Sequence, residues 1–316
     1  MKRLLLIFPF IGLSLAGTEI ELKTPTGVLK GTLEQPAQEE KSLVVLIHPG
    51  SGPTDRDGNS IGLPGNNDSL KMLAEGLAAR GIASVRIDKR GIAASKAAGP
   101  KKEDDLLFDT YVDDAVSWIG YLQGEMGFKK VALLGHSEGA LITLIAAGKK
   151  PVAGYVSLSG TAKRASPLLR EQLKTKLPPN LLTESTVILQ QLDQGQKVAK
   201  VSPELNVLFR PSVQPYLISW IKYTPTEEIA KLTAPALIVQ GTTDIQVSPA
   251  DADALHEAQP ESKEVKIEGM NHVLKAVGTD LKEQVSSYSN PKLPLHPGLL
   301  GPVAEFLQGI QGKPEP

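Results

Sequence analysis

The sequence contains no cysteine, few aromatic residues and almost no net charge, and each shortage excludes a class of protein. With no cysteine in 316 residues, there is no thiol for a disulfide or a lipid, so packing alone must hold the fold. A formal net charge of −1 gives no basic field, so we expect no nucleic-acid partner. Aromatic residues make up only 4%, which disfavours a lipase that acts at an interface.

The apolar run at the start of the chain is too short for a comfortable membrane span. Residues 4–15 follow Lys2 and Arg3 and end beside the small residue Ala16. This pattern predicts a secretory signal peptide, residues 1–16, that is cut after Ala16. An uncleaved anchor is the less favoured alternative, because a bilayer needs about 20 apolar residues. We expect an exported protein, periplasmic or secreted, with no stable membrane insertion after cleavage.

A GxSxG motif stands at Gly135-His136-Ser137-Glu138-Gly139. The apolar run before it has the composition of a buried strand, and small and aliphatic residues at helical spacing follow it. The glycines let the chain turn so sharply that the serine hydroxyl stands exposed at the apex. An acyl-transfer nucleophile needs this arrangement, so Ser137 is the predicted nucleophile.

Strand and helix patterns alternate along most of the chain. Residues 18–33 predict an edge hairpin, and apolar strands are predicted at 42–47, 83–88, 131–134, 152–158, 236–240 and 263–267. The alternation predicts an α/β fold with a mainly parallel central sheet flanked by helices.

The strand rhythm stops between residues 163 and 232, where apolar residues fall at helical spacing. We interpret 163–232 as a helical cap inserted over the carboxyl ends of the strands, with 17–162 and 233–316 as the core. A separate helical domain is the alternative. A cap at this place would form a wall of the substrate pocket.

A serine hydroxyl needs a base within hydrogen-bond reach, and the base needs an acid that orients it. Among the five histidines, His272 is the one in a loop just past a late strand, so it is the predicted base. Asp244 follows the strand at 236–240 by a short turn and is the predicted acid. We expect its competitors Asp251 and Asp253 to lie in the next helix and to face solvent.

The oxyanion formed during acyl transfer is best stabilised by backbone N–H groups that already point at it. One is expected from Glu138, the residue after the nucleophile. The other is expected from Ser51, because Gly50 and Gly52 allow the chain to bend that amide inward. The side chain of Ser51 need not take part.

Three carboxylates, Asp109, Asp113 and Asp114, could share one face of a predicted helix. They have no His or Cys companions at the spacing of metal ligands, so we expect a hydrated surface there and not a metal site. No other motif calls for a metal or a cofactor.

Six segments together resemble a known superfamily: HPGSGPTDRDGN, DKRG, GHSEG, LFRPSVQPYLISW, GTTDIQV and GMNHVLK. The likeness is to the α/β hydrolases and, more closely, to bacterial esterases and hydrolases related to the serine aminopeptidase group, many of them exported. It spans nearly all of the mature chain. GxSxG alone specifies the superfamily, whereas the GSGPxDRDG turn with the NHVLK segment is narrower. DKRGIAAS departs from the commoner pattern, which has a second glycine after RG, so we expect a different loop there.

The resemblance implies that Ser137, Asp244 and His272 form the triad, in the chain order used on these scaffolds. It also implies that the amides of Ser51 and Glu138 are the oxyanion donors. The implied reaction is hydrolysis of carboxylic esters with short or modest acyl groups, a small-molecule substrate class, without metal or cofactor.

Two alternatives remain open. An aminopeptidase or amidase would use the same triad and should offer an acidic group in the cap to a free amino terminus; the candidates are Glu171, Glu184, Asp193 and Glu204. A binding protein that keeps the fold without turnover is disfavoured, because the serine, the acid and the histidine are all present.

Overall fold

The computed structural model describes residues 17–38, 41–62 and 64–312. The predicted signal peptide, residues 1–16, lies outside this part of the chain. Within it the strands form one eight-stranded sheet of order β1-β2-β4-β3-β5-β6-β7-β8. The strands are β1 Thr18–Thr24, β2 Gly27–Glu34, β3 Leu43–His48, β4 Ala83–Ile87, β5 Lys130–His136, β6 Gly154–Leu158, β7 Ala236–Gly241 and β8 Lys263–Ile267.

Helices connect most of the strands. In the described residues they are α1 Ser69–Ala78, α2 Phe108–Gly124, α3 Glu138–Lys149, α4 Ala165–Lys174, α5 Pro179–Asp193, α6 Asn206–Phe209, α7 Gln214–Ile221, α8 Pro225–Ala230, α9 Pro249–Ala258, α10 Leu281–Ser287 and α11 Leu300–Gln311. None of these helices is both long and apolar enough to cross a bilayer.

The sheet is antiparallel at one edge and parallel elsewhere. β1 pairs with β2 and β2 with β4 in antiparallel register, and each later neighbouring pair, from β4–β3 to β7–β8, is parallel. Parallel strands need crossover connections, which the helices supply. The α/β fold with a mainly parallel sheet, and the edge hairpin, are therefore confirmed.

Helices cover both faces of the sheet, which explains the unbroken apolar run of β3. Val44 and Leu46 pack into the same core as Trp118 of α2, whereas Val45 packs on the other face with Leu73 of α1 and with α11. A strand covered on both sides is apolar at every position and not at alternate ones.

Between β6 and β7 the described chain forms α4 to α8 and contains no strand. α7 lies against α2, where the rings of Phe108 and Trp220 stack with centroids 6.0 Å apart. The N–H of Phe108 also donates to the hydroxyl of Ser219 at 2.7 Å. The division into a core and a cap at 163–232 stays a prediction.

Two aspartates that we expected to face solvent are buried. Asp114 is 7% exposed, because both of its carboxylate oxygens accept hydrogen bonds from the guanidinium of Arg90. Asp251 is 3% exposed and accepts hydrogen bonds from Thr161, Ala162 and Ser248. For these two residues the prediction of a hydrated surface was wrong.

Candidate active site

Ser137 stands between the end of β5 and the first residue of α3. Its φ is 55° and its ψ is −123°, a conformation that costs a non-glycine residue about 1–3 kcal/mol. Its N–H donates to the carbonyl of Leu158 at 2.9 Å, which anchors the turn to the neighbouring strand β6. Fixed in this way, the side chain of Ser137 remains partly exposed.

The two glycines of the motif are required by close contacts. A Cβ on Gly135 would lie 2.2 Å from the carbonyl oxygen of Gly139. A Cβ on Gly139 would lie 2.5 Å from the carbonyl oxygen of Pro49 and 2.6 Å from that of His48. All three distances are far below van der Waals contact, so larger residues would push β5, α3 and the turn after β3 apart.

His272 and Asp244 are brought together by the ends of β7 and β8. The Nδ1 atom of His272 lies 2.8 Å from Oδ2 of Asp244, and both side chains are almost fully buried. Because parallel strands end at one edge of the sheet, this pair and Ser137 at the end of β5 lie on the same edge. The contact leaves Nε2 as the nitrogen that can serve as a base.

The carboxylate of Asp244 is held by several donors. Oδ1 accepts the backbone N–H groups of Gln246 at 2.8 Å and Val247 at 3.0 Å. Oδ2 accepts the side-chain amide of Gln240 at 3.1 Å as well as His272. Burial alone would raise the pKa of Asp244, but the attraction of His272 and these donors outweigh burial and lower the pKa below its ordinary value.

His136, inside the motif, supports the loop that carries the predicted base. Its Nε2 lies 2.8 Å from the carbonyl oxygen of His272, and the two rings are 4.9 Å apart. Burial lowers the pKa of His136 to about 4, with the neighbouring His272 as a further cause. A neutral His136 can donate from Nε2 to that carbonyl.

The predicted oxyanion donors flank the serine. Glu138 is the first residue of α3, so its N–H has no acceptor within the helix. Ser51 follows Gly50, where a Cβ would lie 3.2 Å from the Cβ of Ser137. The turn that contains Ser51 therefore passes directly beside the nucleophile.

Two side chains that contact this region were not predicted from the sequence. The ammonium of the buried Lys89, in the DKRG segment after β4, donates to the carbonyls of Gly50 and Gly52. The hydroxyl of Tyr216, which is half-buried on α7, donates to Oε1 of Glu138 at 2.8 Å. The position of Lys89 just after a central strand was a usable signal. Tyr216 lies in the LFRPSVQPYLISW segment, but nothing in that segment singled out the tyrosine.

Cavities and metal-ligand groups add little to the site. A cavity of ≈ 250 Å³ borders Asp244 and Gln246 and is walled by Leu168 and Gln172 of α4. A larger cavity of ≈ 810 Å³ lies beside Lys130 at the opposite end of β5, far from the predicted chemistry. Among the described side chains, no cluster of three or more His, Asp or Glu could hold a metal ion.

Comparison with known families adds to this geometry. The family model described as serine aminopeptidase, S33, matches residues 62–275, which is more than half of the chain and includes Ser137, Asp244 and His272. The chain belongs to this family. It is thus a member of the α/β-hydrolase superfamily, and the resemblance inferred from the motifs is confirmed.

One curated relative of this serine aminopeptidase family member is Esterase EstD from Thermotoga maritima. The two are 28% identical over 237 residues, which cover 73% of this chain and 54% of the relative. The chain therefore spans about half the length of the curated relative it matches.

Solved structures with the same fold include several hydrolases. Est1E from Butyrivibrio proteoclasticus, in a structure with ferulic acid bound, aligns with a TM-score of 0.59 at 17% identity and covers 93% of this chain and 100% of its own. An esterase from Pyrococcus furiosus aligns with a TM-score of 0.59 at 16% identity, covering 98% and 97%. Proline iminopeptidase from Mycobacterium smegmatis aligns with a TM-score of 0.56 at 15% identity, covering 93% and 99%. At these identities the likeness concerns the fold alone.

Proposed function

We propose that the protein is a serine carboxylesterase that hydrolyses esters with short or modest acyl groups through an acyl-enzyme. The observation that carries the proposal is the strained Ser137 at the sheet edge that also holds the 2.8 Å contact between His272 and Asp244. Strain at an apex is maintained only where the surrounding structure enforces it, and such strain concentrates at functional sites. The likeness to Esterase EstD supports the same substrate class.

The reaction follows from the roles of the three residues. Nε2 of His272 accepts the proton of the Ser137 hydroxyl while the Oγ atom of Ser137 attacks the ester carbonyl carbon. The resulting oxyanion is stabilised by the N–H groups of Ser51 and Glu138. His272 then gives its proton to the departing alcohol, and afterwards activates the water that releases the acid from Ser137. Asp244 keeps His272 in the required tautomer throughout.

Three of the four candidate acids in the predicted cap favour an esterase over an aminopeptidase, whereas the fourth, Glu204, is exposed and keeps the aminopeptidase as a candidate. An aminopeptidase needs a carboxylate that is free to bind an ammonium group, but Glu171 is paired with Lys163. Glu184 accepts hydrogen bonds from Ser202, and Asp193 is paired with Arg170. An aminopeptidase or amidase remains the second candidate, because its triad chemistry is the same.

The proposal is tested with chromogenic acyl esters of increasing length, alongside aminoacyl anilides, on the wild type and on Ser137→Ala. We expect ester turnover by the wild type and a loss of at least about 1,000-fold in kcat/KM in the variant. Turnover of the anilides alone would replace the esterase with the aminopeptidase.

A matched control is Ser84→Ala. Ser84 is fully buried and lies near the start of β4, at the sheet edge opposite Ser137, so its hydroxyl cannot meet substrate. We expect its ester turnover to stay within about threefold of the wild type, since a small buried change away from the reacting atoms leaves transition-state contacts intact. Equal losses in Ser137→Ala and Ser84→Ala would contradict a nucleophilic role for Ser137.

A further inference from the structure

Lys89 is a buried cation with a specific pair of acceptors. It is 2% exposed, which is rare for lysine because a charge loses its hydration on burial. Its Nζ donates to the carbonyl oxygen of Gly50 and, at 2.8 Å, to that of Gly52. These two carbonyls lie on either side of Ser51, so Lys89 holds the turn that carries one of the proposed oxyanion donors.

The direction of the Ser51 N–H follows from the geometry of one peptide unit. The carbonyl of Gly50 and the N–H of Ser51 belong to the same planar peptide, and no peptide bond of the described chain is cis. In a trans peptide the C=O and the N–H point in opposite directions. When the Gly50 oxygen is fixed on Lys89, the Ser51 N–H must point away from Lys89.

Without such a contact this turn could adopt another orientation. Gly50 lies against Ser137, and Gly52 has a φ of 65° with no atom within 4 Å of a Cβ built on it. Glycines on both sides of Ser51 give the backbone more accessible conformations than other residues would. A rotated peptide between Gly50 and Ser51 would present a carbonyl oxygen, which repels an oxyanion, in place of the N–H.

The groups around Lys89 support a fixed position. Its Nζ lies 5.4 Å from the centroid of the Tyr111 ring, within range of a cation–π interaction. Burial lowers the pKa of Lys89 to about 8, and the buried carboxylate of Glu138 acts in the opposite direction. Lys89 thus supports one proposed donor directly, and it attracts the carboxylate of the residue whose backbone supplies the other.

We propose that Lys89 is a positioning residue that holds the Gly50–Ser51 peptide with its N–H toward the oxyanion. The inference rests on the proposed esterase function. Lys89 does not touch the substrate; it acts through the peptide that does. Its loss should therefore weaken binding of the transition state and leave binding of the ester in its ground state nearly unchanged.

The test compares Lys89→Met, which keeps the length of the side chain, with the wild type. We measure kcat and KM for the best ester, the inhibition constant of a trifluoromethyl ketone, and the melting temperature. The ketone forms a tetrahedral adduct with the serine and places an oxyanion where the ester would. Outright loss of one oxyanion donor costs about 100- to 1,000-fold in kcat. Because Lys89→Met misplaces the N–H and does not remove it, we expect kcat to fall about 10- to 100-fold, with KM within about twofold and ketone affinity falling in parallel.

The matched control is Lys130→Met. Lys130 also donates to two backbone carbonyls, those of Ile310 at 3.0 Å and Gln311 at 3.3 Å, but at the opposite end of β5. Its kcat and ketone affinity should remain those of the wild type. Lys89→Gln supplies a neutral donor and should recover part of the loss in kcat. If Lys89→Met does not fold, kcat and ketone affinity are compared between Lys89→Gln and the wild type.

The outcomes separate the inference from the proposed function. If the wild type hydrolyses esters and a folded Lys89 variant keeps its kcat, the positioning role is overturned and the esterase stands. A rise in KM with unchanged ketone affinity also overturns it, because Lys89 would then act on substrate binding. If the wild type hydrolyses no ester, the proposed function fails and the inference fails with it.

Discussion

Asp244 fixes the orientation of His272 because each of its carboxylate oxygens also accepts a hydrogen bond from the end of β7 or from the loop that follows it. The aspartate cannot rotate without breaking several hydrogen bonds at once. An asparagine would keep the shape but would present an NH₂ group to one of these positions. The imidazole would then be forced toward the tautomer that cannot accept the serine proton.

For Asp244→Asn we expect kcat to fall by about 10,000-fold with the fold intact. Because the pKa of Asp244 is lowered in the folded state, its carboxylate contributes stability above the unfolded pKa and loses it as pH falls through the folded pKa. Urea unfolding between pH 3 and 7 should therefore show a weaker acid dependence in the variant. The exposed Asp253, paired with Lys266, provides the control Asp253→Asn. If the free energy of unfolding falls equally with decreasing pH in the wild type and in Asp244→Asn, the prediction is contradicted.

The residues that sequence reasoning misjudged have distant partners. We expected Asp114 on a hydrated helix face with two neighbouring aspartates, because no local residue signals its burial; its partner Arg90 lies in the loop after β4. Asp251, on α9, similarly accepts a hydrogen bond from Thr161, which follows β6 and is distant in the sequence. Ser137 was accessible to prediction because its turn is set by adjacent glycines and by the strand and helix on either side.

At the scale of elements, α7 is tied to α3 by the contact between Tyr216 and Glu138. The carboxylate is fully buried, Oε1 accepts the tyrosine hydroxyl, and Oε2 has no hydrogen-bond partner among the described residues. Burial raises the pKa of Glu138 although Lys89 and Tyr216 oppose this. The link therefore joins the helical segment between β6 and β7 to the first residue after the nucleophile.

Tyr216→Phe should lower the free energy of unfolding by about 1–3 kcal/mol at pH 7, because a buried carboxylate loses its donor. The loss should shrink as pH falls, since protonation removes the charge that lacks a partner. Urea unfolding at pH 5 and pH 7 measures both effects. Tyr223→Phe is the control, because Asp109 loses the Tyr223 hydroxyl but keeps Lys222. A loss in Tyr216→Phe that is independent of pH would argue against a charged Glu138.

The order of elements was more predictable than their contacts. Hydrophobic periodicity is local, so the strands from β3 to β8 and the helix Phe108–Gly124 could be read from neighbouring residues. The bounds of the helices, such as Leu300–Gln311 for α11, were harder to predict. Helix ends depend on capping and packing more than on periodicity.

At the scale of the whole molecule, the DRDG segment joins the edge strand β1 to the loop that follows β4. Arg56 donates to Asp88 through Nε at 3.0 Å and through Nη2 at 2.8 Å, and to Glu19 of β1 at 2.8 Å. The backbone N–H of Arg56 also donates to Asp88. This narrow part of the sequence signature therefore has a structural role at some distance from the serine.

Arg56→Met should lower the free energy of unfolding by about 3 kcal/mol or more, because it leaves the buried Asp88 without its cation. Urea unfolding followed by circular dichroism measures the change. Lys71→Met is a control, since Lys71 borders the same charged cavity as Arg56 but is exposed, and it should change stability by less than about 0.5 kcal/mol. Similar effects in the two variants would contradict a structural role for the Arg56–Asp88 pair.

The backbone conformation at Ser137 is unfavourable for the stability of the fold. With a φ of 55° and a ψ of −123°, the position suits glycine better than any residue with a side chain. Mutation under pressure for stability alone would drift toward glycine there. Under the proposed function, the serine is retained at this position for its reactivity, at a cost to the stability of the fold.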